Sequence, residues 1–271
     1  MENKIINENK FIVTNFVIKS NMMKGNKTDY DCPKCKNRGF FIVPKITLQD
    51  NIRFWECVCI ECECEKKRDE IRRINQSGLG KYLNYKIKDF VATKKWQVDL
   101  KYKVMDFCLN HCENDNNEKW IAFLGQNGSG KSFMASVVAN HLLNNKKREV
   151  KCVNWNNFLS KFKKDISGDE YTKENAISDL EELKNADVLF IDEFMQNYNP
   201  NVDKKYIDEI IDYRYSNKLK TIITTPKLLN DLLLLNESSI SRIYEMCEGS
   251  NFTIEIPYNK EDNYRLKGLK K

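Results

Sequence analysis

The residues with the clearest chemistry form a glycine-rich run followed by lysine and serine. Residues 125–132 read GQNGSGKS and fit the pattern GxxxxGK[ST]. Glycines at this spacing let successive backbone N–H groups face the phosphates of a nucleotide, and the next helix points its positive end at the same anions. The run predicts an ATP- or ADP-binding loop. The residues assigned to it are Gly125, Asn127, Gly128, Ser129, Gly130, Lys131 and Ser132.

Two carboxylates follow an apolar run further along the chain. Residues 188–193 read VLFIDE, which predicts a buried strand ending in Asp192 and Glu193. Parallel strands end at the same edge of a sheet, so Asp192 should lie beside the phosphate loop. We expect Lys131 to neutralise the terminal phosphates, Ser132 and Asp192 to hold Mg²⁺, and Glu193 to polarise the attacking water. This pair is typical of water-activating ATPases.

Two further features belong to the same predicted site. A fourth apolar run ends in Thr224 and Thr225, and a hydroxyl there would contact the γ-phosphate or the water. Arg242 lies near the start of a predicted helix. ATPases that assemble in rings insert such an arginine into a neighbour's site, where its charge stabilises the transition state. The alternative for Arg242 is an ordinary exposed position on the helix.

Six of the ten cysteines fall in one short stretch: Cys32, Cys35, Cys57, Cys59, Cys62 and Cys64. Two close pairs separated by a loop suit tetrahedral Zn²⁺, which prefers thiolates in structural sites. Cys32 and Cys35 form the first pair. The second pair is Cys59 with Cys62 by CxxC spacing, or Cys62 with Cys64 by CxC spacing, so spacing alone leaves it open.

The elements that must position these residues are visible in the apolar pattern. Five strand-like runs alternate with helical patterns: Trp120–Leu124, Val150–Asn154, Val188–Ile191, Thr221–Thr225 and Phe252–Ile256. Such alternation predicts an α/β fold with a parallel five-stranded sheet flanked by helices, the P-loop NTPase architecture of additional-strand ATPases. A small N-terminal zinc-binding module precedes it.

Composition and length agree with that organisation. The chain has 271 residues, of which 41% are hydrophobic and 31% charged, and its net charge is +6. No apolar run approaches the ~18 residues of a membrane span. We therefore expect a cytoplasmic protein that does not associate with membranes, whose cysteines are reduced or metal-bound.

The expected domains are a zinc-binding module over residues 1–75, a basic helical linker over 76–118 and the ATPase domain over 119–271. The start of the chain is a leader with one β-like patch at Phe11–Ile18. Between Glu65 and Lys103, 12 Lys and Arg residues stand against 5 Asp and Glu residues. That basic stretch is a candidate nucleic-acid surface, although an AT-rich genome would also enrich lysine.

Several motifs, in order, resemble those of DnaC/DnaI-type replicative helicase loaders, above all the DnaC-like proteins of low-GC Gram-positive bacteria and their phages. They are CPKCKNRGF at 32–40, ECECEKKR at 61–68, the phosphate loop, LFIDEF at 189–194, DYRYSN at 212–217, SRIYEMC at 241–247 and NYRL at 263–266. The resemblance covers most of the chain, from about Asp31 to Leu266.

This resemblance implies an AAA+ (ASCE) ATPase that binds single-stranded DNA and delivers the hexameric replicative helicase to it. It implies assembly as a nucleotide-dependent homo-oligomer or a helicase-bound ring. By position, Arg242 matches the family's arginine finger and Arg265 matches a C-terminal arginine that senses nucleotide. The zinc-bearing module is the family's usual helicase contact, and its second cysteine pair precedes a basic helix, which favours Cys62 and Cys64 here.

One position departs from the family. Many relatives carry a polar residue where this chain has Pro226, and proline cannot donate a hydrogen bond. The role of contacting the γ-phosphate therefore falls on Thr224 or Thr225. We assign Thr225.

A DNA surface is expected between the second and third strands. Residues 155–185 are long enough for two helices, and loaders of this type resemble initiators in carrying a DNA-tracking helical insertion there. The candidate contacts are Lys161, Lys163 and Lys164 for phosphates and the aromatic rings of Phe158 and Phe162 for base stacking. The alternative is an amphipathic helix with Phe158, Leu159 and Phe162 in the core and solvated lysines.

Two other functions share parts of this pattern. An IstB-like transposition helper ATPase has the same ATPase core, but the cysteine module weighs against it. A helicase adaptor that uses ATP only as a switch, without hydrolysis, would not need Asp192, Glu193 and Arg242. The sequence therefore favours a hydrolysing helicase loader, with turnover that is slow and stimulated by assembly or single-stranded DNA.

Overall fold

The computed structural model describes residues 2–49, 52–112, 119–259 and 262–266. The chain divides into two compact units, residues 1–72 and 73–271. The first carries the clustered cysteines and the second carries the phosphate-loop sequence. No helix in these described ranges is long and apolar enough to cross a membrane.

The first unit is a helix packed on a long antiparallel hairpin. Its elements are α1 (Glu2–Met22), β1 (Phe40–Gln49), β2 (Ile52–Glu61) and the start of α2 (Cys64–Gln76). The hairpin is in register from Phe40 opposite Glu61 to Gln49 opposite Ile52.

The β-like patch predicted at Phe11–Ile18 is wrong, because these residues lie inside α1. Val13 and Val17 are 9% and 8% exposed, one helical turn apart. Two asparagines also fix α1 to the hairpin backbone: Asn21 bonds both backbone groups of Ile42, and Asn9 accepts from the N–H of Trp55. These tertiary contacts override the strand preference of Phe, Ile and Val.

The second unit is a parallel sheet covered by helices. Its strands are β3 (Ile121–Gly125), β4 (Val150–Asn154), β5 (Val188–Asp192), β6 (Lys220–Thr225) and β7 (Thr253–Ile256). Its helices are α3 (Lys95–Asn110), α4 (Lys131–Asn140), α5 (Trp155–Ile166), α6 (Glu170–Asn185), α7 (Pro200–Ser216) and α8 (Leu229–Met246). The strand order is β4-β5-β6-β3-β7, with every neighbouring pair parallel. The predicted α/β fold with a five-stranded parallel sheet is confirmed.

The sheet places the two halves of the site side by side. β3 leads into the phosphate loop, and β5 ends in the predicted carboxylate. One strand, β6, separates them. β3 and β5 are fully buried along their whole length, as strands covered by helices on both faces must be.

The segment predicted as a linker contributes to the core of the second unit. In α3, Leu100, Val104 and Phe107 are 2% exposed or less. Upstream of α3, two short 3₁₀ turns, Gly80–Tyr82 and Ile87–Asp89, lie against the ATPase core. Residues 113–118 lie outside the described residues, and the predicted domain boundaries stay a prediction.

Candidate active site and metal centre

The phosphate loop requires glycine where the chain turns. Gly125 and Gly128 have φ of 103° and 76°, in the left-handed region that disfavours side chains. A Cβ on Gly125 would meet the carbonyl oxygen of Ile256, and one on Gly128 would meet the side chain of Asn263. The loop therefore keeps its curled form only with glycine at these positions, and α4 begins directly after it at Lys131.

Lys131 is held inside the loop. Its side chain is buried, and Nζ donates to the carbonyl oxygens of Gly125 at 2.7 Å and Gln126 at 2.6 Å. Burial lowers the pKa of Lys131 to about 8, while the negative charge of Asp192 opposes that shift. Phosphate oxygens bound at the loop would place negative charge next to the Lys131 ammonium group and stabilise its charged form.

Asp192 is the point where hydroxyl groups from separate elements meet. Ser132 Oγ donates to Oδ1 at 2.7 Å, and Thr224 Oγ1 donates to the same oxygen at 2.5 Å. Tyr82 OH donates to Oδ2 at 3.0 Å. A hydroxyl and a carboxylate 2.7 Å apart at the foot of a phosphate loop are oxygen donors of the kind that Mg²⁺ takes. Ser132 and Asp192 therefore fit the predicted metal.

Glu193 leaves the strand in an unusual conformation. Its φ is 59°, which is uncommon for a residue with a side chain and often marks a functional position. Thr224 Oγ1 accepts from the backbone N–H of Glu193 at 3.1 Å, and Asn154 Nδ2 donates to Oε2 at 2.7 Å. The backbone of Glu193 is thus held from β6 and its carboxylate from the end of β4.

A cavity of about 540 Å³ lies in front of these groups. An aromatic cluster borders it on the side away from Glu193. Tyr85 stacks on Phe133 with ring centroids 4.7 Å apart, and Phe90 contacts both Phe133 and Tyr264. A volume of this size suits a nucleotide, with the rings available to its base and the loop to its phosphates.

The structure brings most of the predicted nucleotide-site residues to this cavity. Its lining includes Asn127, Gly128, Gly130, Lys131, Ser132, Asp192, Glu193, Thr225 and Arg265. Ser129 is fully buried and donates to the carbonyl of Gln126, so it shapes the loop from within. Of the two threonines, Thr224 contacts Asp192 and Glu193, whereas Thr225 Oγ1 accepts from the N–H of Lys227.

Arg242 lies outside the described residues that line the cavity. It is held within its own chain by an ion pair with Asp212 at 3.2 Å and by hydrogen bonds to Ser238. Its side chain is 32% exposed. This placement is compatible with a role in a neighbour's site and excludes direct contact with nucleotide in its own cavity.

The predicted DNA contacts are placed less favourably. Phe162 is 2% exposed and packs edge-on against Tyr206 at 4.6 Å, so its ring is unavailable for base stacking and that prediction is corrected. Lys161 pairs with Asp179 at 2.5 Å, and Lys163 pairs with the fully buried Asp203 at 2.5 Å. Lys164 is exposed and remains the best placed of the three lysines for a phosphate contact.

Four cysteines meet in the first unit. Cys32, Cys35, Cys62 and Cys64 are all buried, and their Sγ atoms lie within 4.8 Å of one another. The closest pairs across the cluster are Cys35 with Cys64 at 3.5 Å and Cys32 with Cys62 at 3.8 Å. Four thiols at such separations, drawn from two separate turns, fit tetrahedral Zn²⁺. Cys57 and Cys59 are exposed instead, so the CxxC alternative that used Cys59 is not the arrangement formed.

The cluster also favours the metal-binding form of one thiol. Burial raises the pKa of Cys35, but the N–H of Gly39 and the sulfur of Cys64 lower it, and the result is about 6. The Gly39 N–H donates to Cys35 Sγ at 3.3 Å. The thiolate is the form of cysteine that binds metal. The Gly39 N–H stabilises the thiolate of Cys35 and so favours binding of a cation.

Purified protein is expected to contain about one zinc ion per chain, because four buried thiols at ligand spacing satisfy a structural site completely. Replacing Cys62 by serine should remove the metal, and elemental mass spectrometry measures it. The matched change Cys59→Ser should keep the metal, since that thiol lies exposed on β2. A zinc content under about half an ion per chain in the unaltered protein would contradict the assignment.

Sequence reasoning missed several residues of the nucleotide site. Tyr82 and Asn154 contact the two acidic side chains, and Phe90 and Tyr264 border the cavity. Tyr264 also donates its N–H to the carbonyl of Gly128 and so ties the C-terminal turn to the phosphate loop. A signal existed only for Tyr264, which lies within the NYRL motif.

Comparison with known proteins defines the class. Residues 121–234 match the ATPase family associated with various cellular activities, AAA. The chain is 28% identical over 264 residues to the phage-like element PBSX protein XkdC of Bacillus subtilis, covering 89% of this chain and 88% of that one. The chain is thus an ATPase, and the stretch that matches the AAA family includes the whole phosphate loop.

Two further matches are to replicative helicase loaders. The chain is 29% identical over 174 residues to the replicative helicase loader DnaC of Escherichia coli strain K12, covering 64% of this chain and 68% of DnaC. A crystal structure of the DnaC helicase loader superposes with a TM-score of 0.54 at 22% identity, over 66% of this chain and 99% of that one, which shows a common fold. The predicted resemblance to DnaC/DnaI-type replicative helicase loaders is confirmed.

Proposed function

We propose that this protein uses ATP to deliver a hexameric replicative DNA helicase to single-stranded DNA. The observation that carries the proposal is the combination of a phosphate loop facing two acidic residues with a four-cysteine module in one loader-like chain. Ser132, Asp192 and Glu193 are assembled at the cavity, and four thiols are clustered in the first unit. A protein that only sensed ATP would not need the Glu193 carboxylate in the lining of the nucleotide cavity.

Five residues that line the cavity have proposed tasks in hydrolysis. Lys131 exchanges its carbonyl contacts for oxygens of the terminal phosphates and neutralises their charge. Ser132 and Asp192 would hold Mg²⁺, which supplies charge neutralisation across the phosphates. Glu193 orients a water and accepts its proton, while the amide of Asn154 fixes the carboxylate before the nucleotide arrives.

Arg242 completes the site of a neighbouring subunit. Its pair with Asp212 is partly exposed, and pairs of this kind contribute little stability, so the arginine is released at small cost when a second subunit docks. The site of one chain would then receive positive charge from the next, which makes hydrolysis depend on assembly in a homo-oligomer or a helicase-bound ring.

The first unit is the proposed helicase contact. Apolar side chains stand exposed along α1: Phe11, Ile12 and Phe16 are 70%, 66% and 55% exposed. Met22 at its end and Met23 directly after it are 68% and 64% exposed. A group of large exposed apolar side chains on one helix is typical of a protein interface. Bound zinc would fix the hairpin on which α1 packs, and it would therefore keep the exposed apolar side chains of α1 in a single arrangement.

Single-stranded DNA is proposed as the second partner. Lys164 on α5 is the exposed cation of the predicted DNA helix, and its two neighbours Lys161 and Lys163 are engaged by acidic residues. Phosphate contacts by lysine would make DNA binding weaken as salt rises.

Size-exclusion chromatography of the full chain with the replicative helicase of the same organism tests the proposal. We expect a complex, and we expect the double change Phe11→Ser with Phe16→Ser to weaken it at least about tenfold, because apolar anchors dominate interfaces. Leu234→Ser is the matched control, since Leu234 is 88% exposed on α8 in the second unit. Absence of any complex, with or without ATP, would contradict the loader function and favour the transposition-helper alternative.

A further inference from the structure

We propose that Tyr82 is a positioning residue of the ATPase site, and that its hydroxyl orients Asp192 for the metal. The inference rests on the nucleotide site alone, so it stands or falls independently of helicase loading. Tyr82 lies 110 residues before Asp192 in the sequence, in the segment that leads into the ATPase core. Its OH donates to Asp192 Oδ2 at 3.0 Å.

The backbone of Tyr82 is fixed to the helix that follows the phosphate loop. Asn140 on α4 donates its Nδ2 to the carbonyl oxygens of Tyr82 at 2.7 Å and Tyr85 at 3.2 Å. Asn140 is 7% exposed, so this amide is dedicated to the segment. Asn140 therefore ties the segment to the helix that follows the phosphate loop.

The upstream end of the segment is fixed as well. Ser77 accepts from the N–H of Cys152 at 2.7 Å, and Gly78, with φ of 68°, lets the backbone pass close to the carbonyl of Cys152. Cys152 lies in β4, so the segment extends the edge of the sheet. Leu79 is then buried at 1% exposure. The position of Tyr82 is thus determined from both sides.

The ring of Tyr82 has contacts that a phenylalanine would keep. It packs on Phe190 with centroids 6.2 Å apart and edge-on against Tyr85 at 5.9 Å. These contacts account for an aromatic ring but not for the hydroxyl. The hydroxyl has its partner in Asp192, and burial together with that negative charge raises the pKa of Tyr82, so the phenol stays protonated and donates.

The hydroxyl has a consequence for the metal. An ionised carboxylate offers about four acceptor positions. Ser132 and Thr224 donate to Oδ1, and Tyr82 donates to Oδ2, so both oxygens are oriented and acceptor capacity still remains for a metal or its water. Without the phenol, Oδ2 loses its fixed partner and the carboxylate plane is free to turn. Hydrogen-bond partners of metal ligands typically govern about 10- to 100-fold in metal affinity.

The change Tyr82→Phe tests the role of the hydroxyl with the ring retained. Calorimetry of ADP binding, once with Mg²⁺ and once with a chelator, separates metal-dependent from metal-independent affinity. We expect the gain in affinity that Mg²⁺ provides to fall about tenfold, with the affinity in chelator changed less than about twofold. The Mg²⁺ concentration for half-maximal ATP hydrolysis should rise in parallel.

Tyr213→Phe is the matched control, because it removes a phenol that donates to Asn185 on the surface of the second unit. It should leave both affinities unchanged, and circular dichroism should show both variants folded. Equal losses with Mg²⁺ and with chelator would assign Tyr82 to packing or base contact and overturn the proposal. Unchanged affinities in both conditions would overturn it too, as would ADP binding in the unaltered protein that does not respond to Mg²⁺.

Discussion

Replacing Lys131 by alanine is expected to abolish binding of ATP and ADP. The side chain is buried in the loop with its Nζ within 2.7 Å of two backbone carbonyls, so its charge is held where the phosphates would bind. Each charge-assisted hydrogen bond to phosphate is worth about 1.5–3 kcal/mol, and losing two of them weakens binding by at least about 100-fold. Calorimetry with Mg²⁺ present measures the loss.

Lys205→Ala is the matched control for that change, because Lys205 is an exposed lysine on α7, outside the lining of the cavity. Its affinity for nucleotide should equal that of the unaltered protein. Folded Lys131→Ala protein that still binds ADP with unchanged heat would remove the loop from the site and with it the ATPase assignment.

The pKa of Lys131 adds a second signature to the same prediction. In the empty site burial holds this pKa at about 8, and bound phosphates would raise it because they favour the ammonium form. Binding therefore takes up a proton when the pH is above 8, and affinity should fall by up to about tenfold per pH unit there. The decline should be absent from any residual binding by the alanine variant. A flat profile in the unaltered protein would show that Lys131 is not neutralised in the empty site.

The ATPase core was predictable because local and long-range signals agree there. Each of the five apolar runs became a strand with ends shifted by no more than one residue, and the loop sequence between β3 and α4 admits few other structures. At Phe11–Ile18 the local sequence pattern favours a strand, whereas the long-range contacts favour a helix. Strand-forming side chains fill this segment, but Asn9 and Asn21 on either side of it bond the backbone of the hairpin and hold the helix there. Local sequence does not reveal these long-range contacts.

Apart from Tyr264, the residues of the site that were missed lie outside the recognised motifs. Tyr82 reaches Asp192 only because β4 fixes the upstream segment against the sheet, and a single tyrosine in a charged stretch has no pattern that reveals this. The choice between Thr224 and Thr225 depended on which of them lies on the same face of the sheet as Asp192. Neighbouring side chains of a strand point to opposite faces, but the sequence does not give the phase when both faces are buried.

Ion pairs explain why the lysines of the proposed DNA surface were poorly predicted from the sequence. Lys161 and Lys163 look like free cations in the sequence, yet Asp179 on α6 and Asp203 on α7 neutralise them. α5 instead has the amphipathic pattern of a helix packed on the core, with Leu159 and Phe162 buried. Such pairs depend on how α5, α6 and α7 pack, which local sequence does not determine.

Glu193→Gln is expected to spare nucleotide binding and stop hydrolysis. The glutamine keeps the size of the side chain, and its amide oxygen can still accept from Asn154, so the site retains its form. What is lost is a group that accepts a proton from the attacking water, a contribution of about 10²–10⁴ in rate. Calorimetry with ADP and release of phosphate from ATP, with and without single-stranded DNA, measure the two effects separately.

The matched control is Glu174→Gln, which makes the same chemical change at an exposed position on α6 and should alter neither property. Normal turnover in Glu193→Gln protein would remove this carboxylate from the mechanism and leave its left-handed conformation without a catalytic reason. The expected result, tight binding without turnover, would also yield a protein fixed in its ATP state. If such a protein still forms the helicase complex but fails to release the helicase onto DNA, hydrolysis serves release. If it fails to form the complex, hydrolysis serves assembly.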